Sequence, residues 1–190
     1  MKTILISFFL LSATLAAEAQ YRDVKLPDAP KQTNYRNYEK ENSGFWYGID
    51  LEGGSSVMAT NTNMQFVNAY GTGGYRLNEY LRLGVGFGVR YYVNNAYVRD
   101  TDNKFGIPIF ANARGNIISA YDRDGVPFWS LNIGGITNEG FFVSPTLGYS
   151  FGGLRNNFLI GLSYTIVSFK NCDKVNTAYS YIGLKLGYEF

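Results

Sequence analysis

The chain has 190 residues, of which 46% are hydrophobic and 17% charged, and its formal net charge is +2 with no clustered run of Lys and Arg, which argues against a nucleic-acid binder. Its 22 Gly, 14 Phe and 16 Tyr, beside only 5 Pro, favour strands and close backbone contacts over helices. Histidine is absent, which removes Ser-His and Asp-His catalysis together with the commonest zinc and iron ligand.

The N-terminus carries an address. Lys2, the apolar run from Ile4 to Leu11 and the small-x-small triplet Ala17-Glu18-Ala19 predict a signal peptide over 1–19, cleaved before Gln20. The apolar run is shorter than the ~20 residues that a helical span needs, and no later stretch is longer. Residues 20–43 are polar and charge-mixed, with Pro27 and Pro30, and read as a flexible tail ahead of a domain over 44–190. In that tail Tyr21, Tyr35 and Tyr38 are the candidate anchors for a partner.

From Gly44 onward the hydrophobic period is two. The first predicted strand, about 45–53, sets Phe45, Tyr47, Ile49 and Leu51 against Trp46, Gly48, Asp50 and Glu52. The second, about 65–77, opposes Val67, Ala69 and Tyr75 to Asn68, Thr72 and Arg76, and a tight turn at Asn78-Glu79 leads to the third. That third strand is the clearest, with Leu81, Leu83, Val85, Phe87, Val89 and Tyr91 against Arg82, Gly84, Gly86, Gly88 and Arg90. The fourth, about 105–115, opposes Ile107, Ile109, Ala111 and Ala113 to Phe110, Asn112 and Arg114. The fifth to seventh are predicted over about 127–136, 141–151 and 157–168. Pro108 and Pro127 sit near strand starts, whereas Pro145 lies inside the sixth strand and calls for a bulge or a local break. Cys172 is the single cysteine, cannot form an internal disulfide, and reads as a loop residue.

The eighth strand, 180–190, alternates Ile182, Leu184, Leu186, Tyr188 and Phe190 with Tyr181, Gly183, Lys185, Gly187 and Glu189. Together with the eight alternating segments and the signal, this ending resembles the small OmpA-like outer-membrane β-barrels of Gram-negative bacteria. In that family the closing strand ends in Phe and is read by the insertion machinery, so the resemblance assigns an insertion signal to Tyr188 and Phe190. Lys185 stands where the family's signal has glycine. The expected fold is therefore all-β, an eight-stranded antiparallel up-and-down transmembrane barrel in the cell outer membrane. The resemblance implies both chain ends in the periplasm, with 77–80, 120–125 and 152–156 as periplasmic turns and 54–63, 94–104, 137–140 and 171–176 facing outward.

Alternation alone does not say which face meets lipid. Glycines such as Gly84, Gly86 and Gly88 would be wasted against water, but on the inner face of a narrow barrel they leave room for Arg82, Arg90, Arg114 and Lys185, so the aliphatic face is expected to meet lipid. Phe45, Tyr47, Tyr75, Trp129, Tyr149, Phe151, Phe158, Tyr188 and Phe190 then gather at the periplasmic end as an aromatic girdle. The lumen receives Asp50, Glu52, Arg76, Arg82, Arg90, Arg114, Lys185 and Glu189, which must pair with one another and with trapped water to be buried. Taken together, these features predict a non-enzymatic, monomeric barrel without cofactor or metal, with a structural or surface-interaction role. Its partners would be outer-membrane lipids and the barrel-insertion machinery. A narrow pore for small solutes, with switching ion pairs, and a soluble periplasmic barrel binding an apolar ligand are the alternatives.

Overall fold

The computed structural model describes residues 42–57, 64–94, 104–120, 123–137, 139–153, 155–169 and 177–190. The expected signal peptide, nearly all of the expected tail, Cys172 and most of the outward segments lie outside the described residues.

The alternating segments form strands β1 (Gly44–Ser56), β2 (Gln65–Asn78), β3 (Leu81–Asn94), β4 (in two pieces, Phe105–Gly106 and Pro108–Asn116), β5 (Gly125–Ile136), β6 (Gly140–Phe151), β7 (Asn157–Phe169) and β8 (Thr177–Glu189). Each strand pairs antiparallel with its sequence neighbours, and β8 pairs with β1 from Gly48↔Glu189 to Ser56↔Tyr181. The sheet thus closes into an eight-stranded barrel with no free edge. The seam continues one residue further, where the Phe190 N–H donates to the Tyr47 carbonyl at 2.8 Å and the two rings stack 4.9 Å apart.

Because successive side chains point to opposite faces, a single register decides everything about inside and outside. The aliphatic face is outside: Phe45 is 82% exposed, Val85 71%, Phe87 69% and Leu162 64%. The opposite face is buried, including Arg76, Arg82, Arg90, Arg114 and Lys185. Among the described residues nothing covers the greasy side, and the packed interior is the lumen, which holds both polar groups and a cluster of rings.

Several boundaries differ from the pattern-based ones. β1 and β3 run on to Ser56 and Asn94, and β5 starts at Gly125, two residues before Pro127. Pro145 makes no bulge. It stays in register with Leu131 of β5, and the ladder to β7 lapses between Val143↔Ile166 and Thr146↔Ser163 without a shift. The missing proline N–H is bridged inside the barrel by Ser144 and Thr165, whose hydroxyls lie 2.7 Å apart. Pro108 interrupts the β3–β4 ladder in the same way, between Phe87↔Ile109 and Arg90↔Gly106.

The inward glycines do more than leave room for long polar chains. At Gly54 an added Cβ would lie 2.7 Å from the Phe66 ring, whereas at Gly74, Gly88, Gly134 and Gly148 it would first run into a backbone carbonyl of the neighbouring strand, with the Tyr70 ring next at Gly88 and the Phe128 ring close by at Gly148. At Gly86 it would run into the Phe110 ring. The reason is volume, because a narrow eight-stranded lumen can hold planar side chains only where the facing wall carries none. Two other glycines make room for acids, Gly187 for Asp50 and Gly106 for Glu139.

Candidate functional site

The ionisable lumen divides along the barrel axis. At the end where β1 begins and β8 finishes, Glu189 accepts from Arg76 at 2.6 Å, from Arg82, and from Arg114 at 3.5 Å. Arg114 also donates to Asp50 at 2.6 Å, and its guanidinium lies 5.2 Å from the Trp46 ring. Arg82 reaches Asn116 Oδ1 at 2.5 Å. Three guanidiniums from β2, β3 and β4 therefore converge on two carboxylates carried by β1 and β8, the strands that meet at the seam. All five groups are buried, and the like charges are held together by Glu189, which three guanidiniums share, and by Asp50, which takes Arg114.

The turns at this end are built from their own side chains. Asn78 Oδ1 accepts from the N–H groups of Tyr80 and Leu81 at 2.9 and 2.8 Å, closing the β2–β3 turn. Glu79 folds back under the next connection and accepts from Ser119 Oγ at 2.9 Å and the Ala120 N–H at 2.8 Å. Asn156 takes the left-handed conformation at φ 61° in the β6–β7 turn, a backbone that asparagine tolerates.

In the other half the lumen is dominated by rings. Met64, Phe66, Tyr70, Tyr92, Phe110, Ile136, Phe142, Val167 and Tyr181 form one buried cluster, with edge-to-face contacts between Phe66 and Tyr181 at 5.1 Å and between Tyr70 and Phe110 at 5.2 Å. Set into it is Arg90, 4.7 Å from the centre of the Phe66 ring. Arg90 donates through Nε to Asn68 at 2.8 Å and through Nη1 to Tyr92 at 3.3 Å and Glu139 at 3.4 Å. The Tyr92 hydroxyl donates to the same Glu139 oxygen at 2.7 Å.

Glu52 does not hydrogen-bond to a base. Its carboxylate accepts from Asn68 and Tyr70, each at 3.0 Å, and from Ser163 Oγ. Lys185, opposite Glu52 in register, is buried with no hydrogen-bond partner at Nζ, 5.9 Å from the Tyr70 ring. The expected pairing of acids with bases and trapped water takes another form at Glu52, whose hydrogen bonds come from neutral donors on β2 and β7.

All eight expected lumen residues thus face inward, and five of them (Asp50, Arg76, Arg82, Arg114 and Glu189) come together in one network. Tyr188 and Phe190 lie on the outer face, their rings 4.7 Å apart. Of the aromatics expected at that end, Phe45 and Tyr75 meet at 5.5 Å and Tyr149 and Phe151 at 4.9 Å. Sequence reading missed Glu139 and Tyr92. Tyr92 shares the face of Arg90 but fell beyond the predicted strand end, and Glu139 belongs to a turn, where no periodicity tells a side chain which way to go.

Neither a protein-family model nor a curated protein matches the sequence. Among solved structures, the chain is similar to the crystal structure of Neisserial surface protein A, with 19% identity and a TM-score of 0.52 over 76% of this chain and 95% of that one. It also matches a designed transmembrane β-barrel at 12% identity and a TM-score of 0.42, over 76% of this chain and 95% of the design. The likeness to the Neisserial protein is one of fold. Both are small closed antiparallel barrels, and at that identity no residue role passes from one to the other.

Proposed function

We propose that this chain is an integral outer-membrane protein whose barrel serves a structural or surface-interaction role and catalyses no reaction. The observation that carries the reading is the inversion of inside and outside, with Leu, Ile, Val and Phe side chains on the outer wall and arginines and carboxylates within. In water this arrangement would expose most of the large aliphatic side chains, whereas a hydrocarbon solvent covers them and tolerates a backbone fully paired by closure. Strands of 13 residues such as β1, at about 3.3 Å per residue and a tilt of about 45°, rise about 30 Å, the thickness of a bilayer's apolar layer. The aromatic pairs near the β1–β8 terminus fit one interface of such a layer.

A soluble barrel holding an apolar ligand fits less well, since rings and ion pairs occupy the lumen that the ligand would need. Tyr188 and Phe190, exposed at the end of β8, are the residues offered to an insertion machinery before the seam closes. The test is fractionation of cells expressing the full chain, followed by electrophoresis with and without boiling. Recovery with outer-membrane detergent extracts and a heat-dependent shift in mobility support the reading. Recovery in the soluble periplasmic fraction overturns it.

A further inference from the structure

The outer wall is not evenly bulky. Strands β7 and β8 present Ile160, Leu162, Leu184 and Leu186 to the outside, whereas the middle of β2 presents Gly71 and Gly73. Neither glycine is called for by packing within the described residues. A Cβ at Gly71 meets nothing within 4 Å, and one at Gly73 meets only the Trp46 carbonyl at 3.9 Å. Neither has a positive φ, so the backbone does not demand glycine there. Glycine inside a strand is destabilising relative to alanine, and two that the barrel does not use from within point to something that fits against them from outside.

The hollow they leave has a volume of about 540 Å³, and its outward lining is Tyr47, Gly71, Gly73, Val85, Phe87 and Ile109. Register sets a ring beside each glycine, with Tyr47 of β1 opposite Gly73 and Phe87 of β3 opposite Gly71. Since β1 and β3 flank β2, one ring stands on each side of the bare strand, and the two stand at different depths. Both project, Tyr47 at 60% and Phe87 at 69% exposure.

From this arrangement we infer that two copies of the chain, in place of the expected monomer, pair through β2, with Phe87 of each seated on Gly71 of the other and Tyr47 on Gly73. The pattern is self-complementary about a two-fold axis along the membrane normal that passes over β2 between the glycines. At each depth the tilt of the strands puts the glycine on one side of that axis and the ring on the other, and the axis exchanges the two sides. Strands tilted by about 45° then cross where they carry no side chains, which lets the two backbones approach as small residues do between membrane helices. Lipid tails adapt to a bulky wall as well as to a hollow, but a rigid ring fits only the hollow. The exposed parts of Tyr47, Ile49, Val85, Phe87, Val89 and Ile109 come to roughly 600 Å² per copy, so pairing removes about 1,200 Å² from lipid, the lower end of the range for specific interfaces.

The pairing rests on the membrane-inserted reading, and its test separates the two. Full chains carrying Cys172→Ser, which removes the native thiol, and either Ile49→Cys or Val85→Cys are refolded together into phosphatidylcholine vesicles. In the pair Ile49 of one copy lies beside Val85 of the other, because the two flank β2 at one depth on opposite sides. Flotation and the boiling-dependent shift score insertion first; protein that does not insert overturns the membrane reading itself. Oxidation with copper phenanthroline should then link about tenfold more dimer in the mixture than in either chain alone or in Leu162→Cys, whose thiol lies on the far wall. Gly71→Leu in both chains fills the hollow, and Phe87→Ala removes the projecting ring; each should lower the yield to that of Leu162→Cys while insertion is kept. An inserted mixture that cross-links no better than Leu162→Cys overturns the dimer and leaves the hollow to lipid tails. A yield unchanged by Gly71→Leu and by Phe87→Ala overturns the seating of rings on glycines.

Discussion

The two halves of the lumen solve the same problem, filling a narrow tube, by opposite means. Near the chain's C-terminal end the filling is ionic, and one carboxylate on the last strand gathers arginines from β2, β3 and β4. Toward the other end it is aromatic, with rings seated on glycines and a single arginine held among them. The contrast teaches where rigidity is placed. Shared charges bind strands across the lumen and fail together when one is lost, whereas packed rings lose their contacts one at a time.

The sharpest way to break this contrast is Glu189→Ala. It removes the carboxylate that Arg76, Arg82 and Arg114 share, and unpairing a buried ion cluster costs roughly 3–5 kcal/mol. Urea unfolding from vesicles, followed by the fluorescence of Trp46 and Trp129, should show that loss; a change within experimental error would mean the arginines find other partners. Arg90→Ala tests the aromatic half and should cost less, about 1.5–3 kcal/mol, since the rings remain packed when the charged hydrogen bonds go.

A third variant addresses the glycine seats. Gly86→Ala drives a methyl into the Phe110 ring and should destabilise by about 1–3 kcal/mol, with partial rescue by Phe110→Leu in the double-mutant cycle. Additivity of the two changes would show that the ring does not need that seat. Lys185→Met should be close to neutral, because it removes a buried ammonium that has no hydrogen-bond partner while Glu52 keeps its three neutral donors. A loss comparable to that of Arg90→Ala would place Lys185 among the supporting charges. The smallest effect belongs to the outer wall, where a Cβ at Gly71 meets nothing within 4 Å; Gly71→Ala should stay within about 0.5 kcal/mol.

Much of this molecule was legible in one dimension. A period of two maintained over eight segments assigns every strand residue to one of two faces, so Asp50, Arg76 and Glu189 could be placed on one side of the sheet without knowing which strands were neighbours. Composition then favoured the polar face as the interior. Where the period stops, the reading stops: Glu79 and Glu139 occupy turns, and only the closed barrel brings them under a neighbouring connection or across the lumen mouth.

Local sequence also cannot choose partners. That Glu189 meets Arg82 and Arg114, and that Glu52 meets Ser163 in place of a base, depends on the stagger between strands far apart in the chain, which backbone closure sets. The purpose of the inward glycines was hidden for the same reason, since a missing side chain acquires a use only from the backbone, ring or acid that a neighbouring strand brings against it. The sequence alone therefore determined strand number, facing and the polarity of inside against outside, because these follow from the two-residue repeat of the extended chain. Tertiary structure decided the pairing of charges, the seating of rings and the inward reach of Glu139, because those are distances across the tube, and distance across a closed sheet is a property of its register.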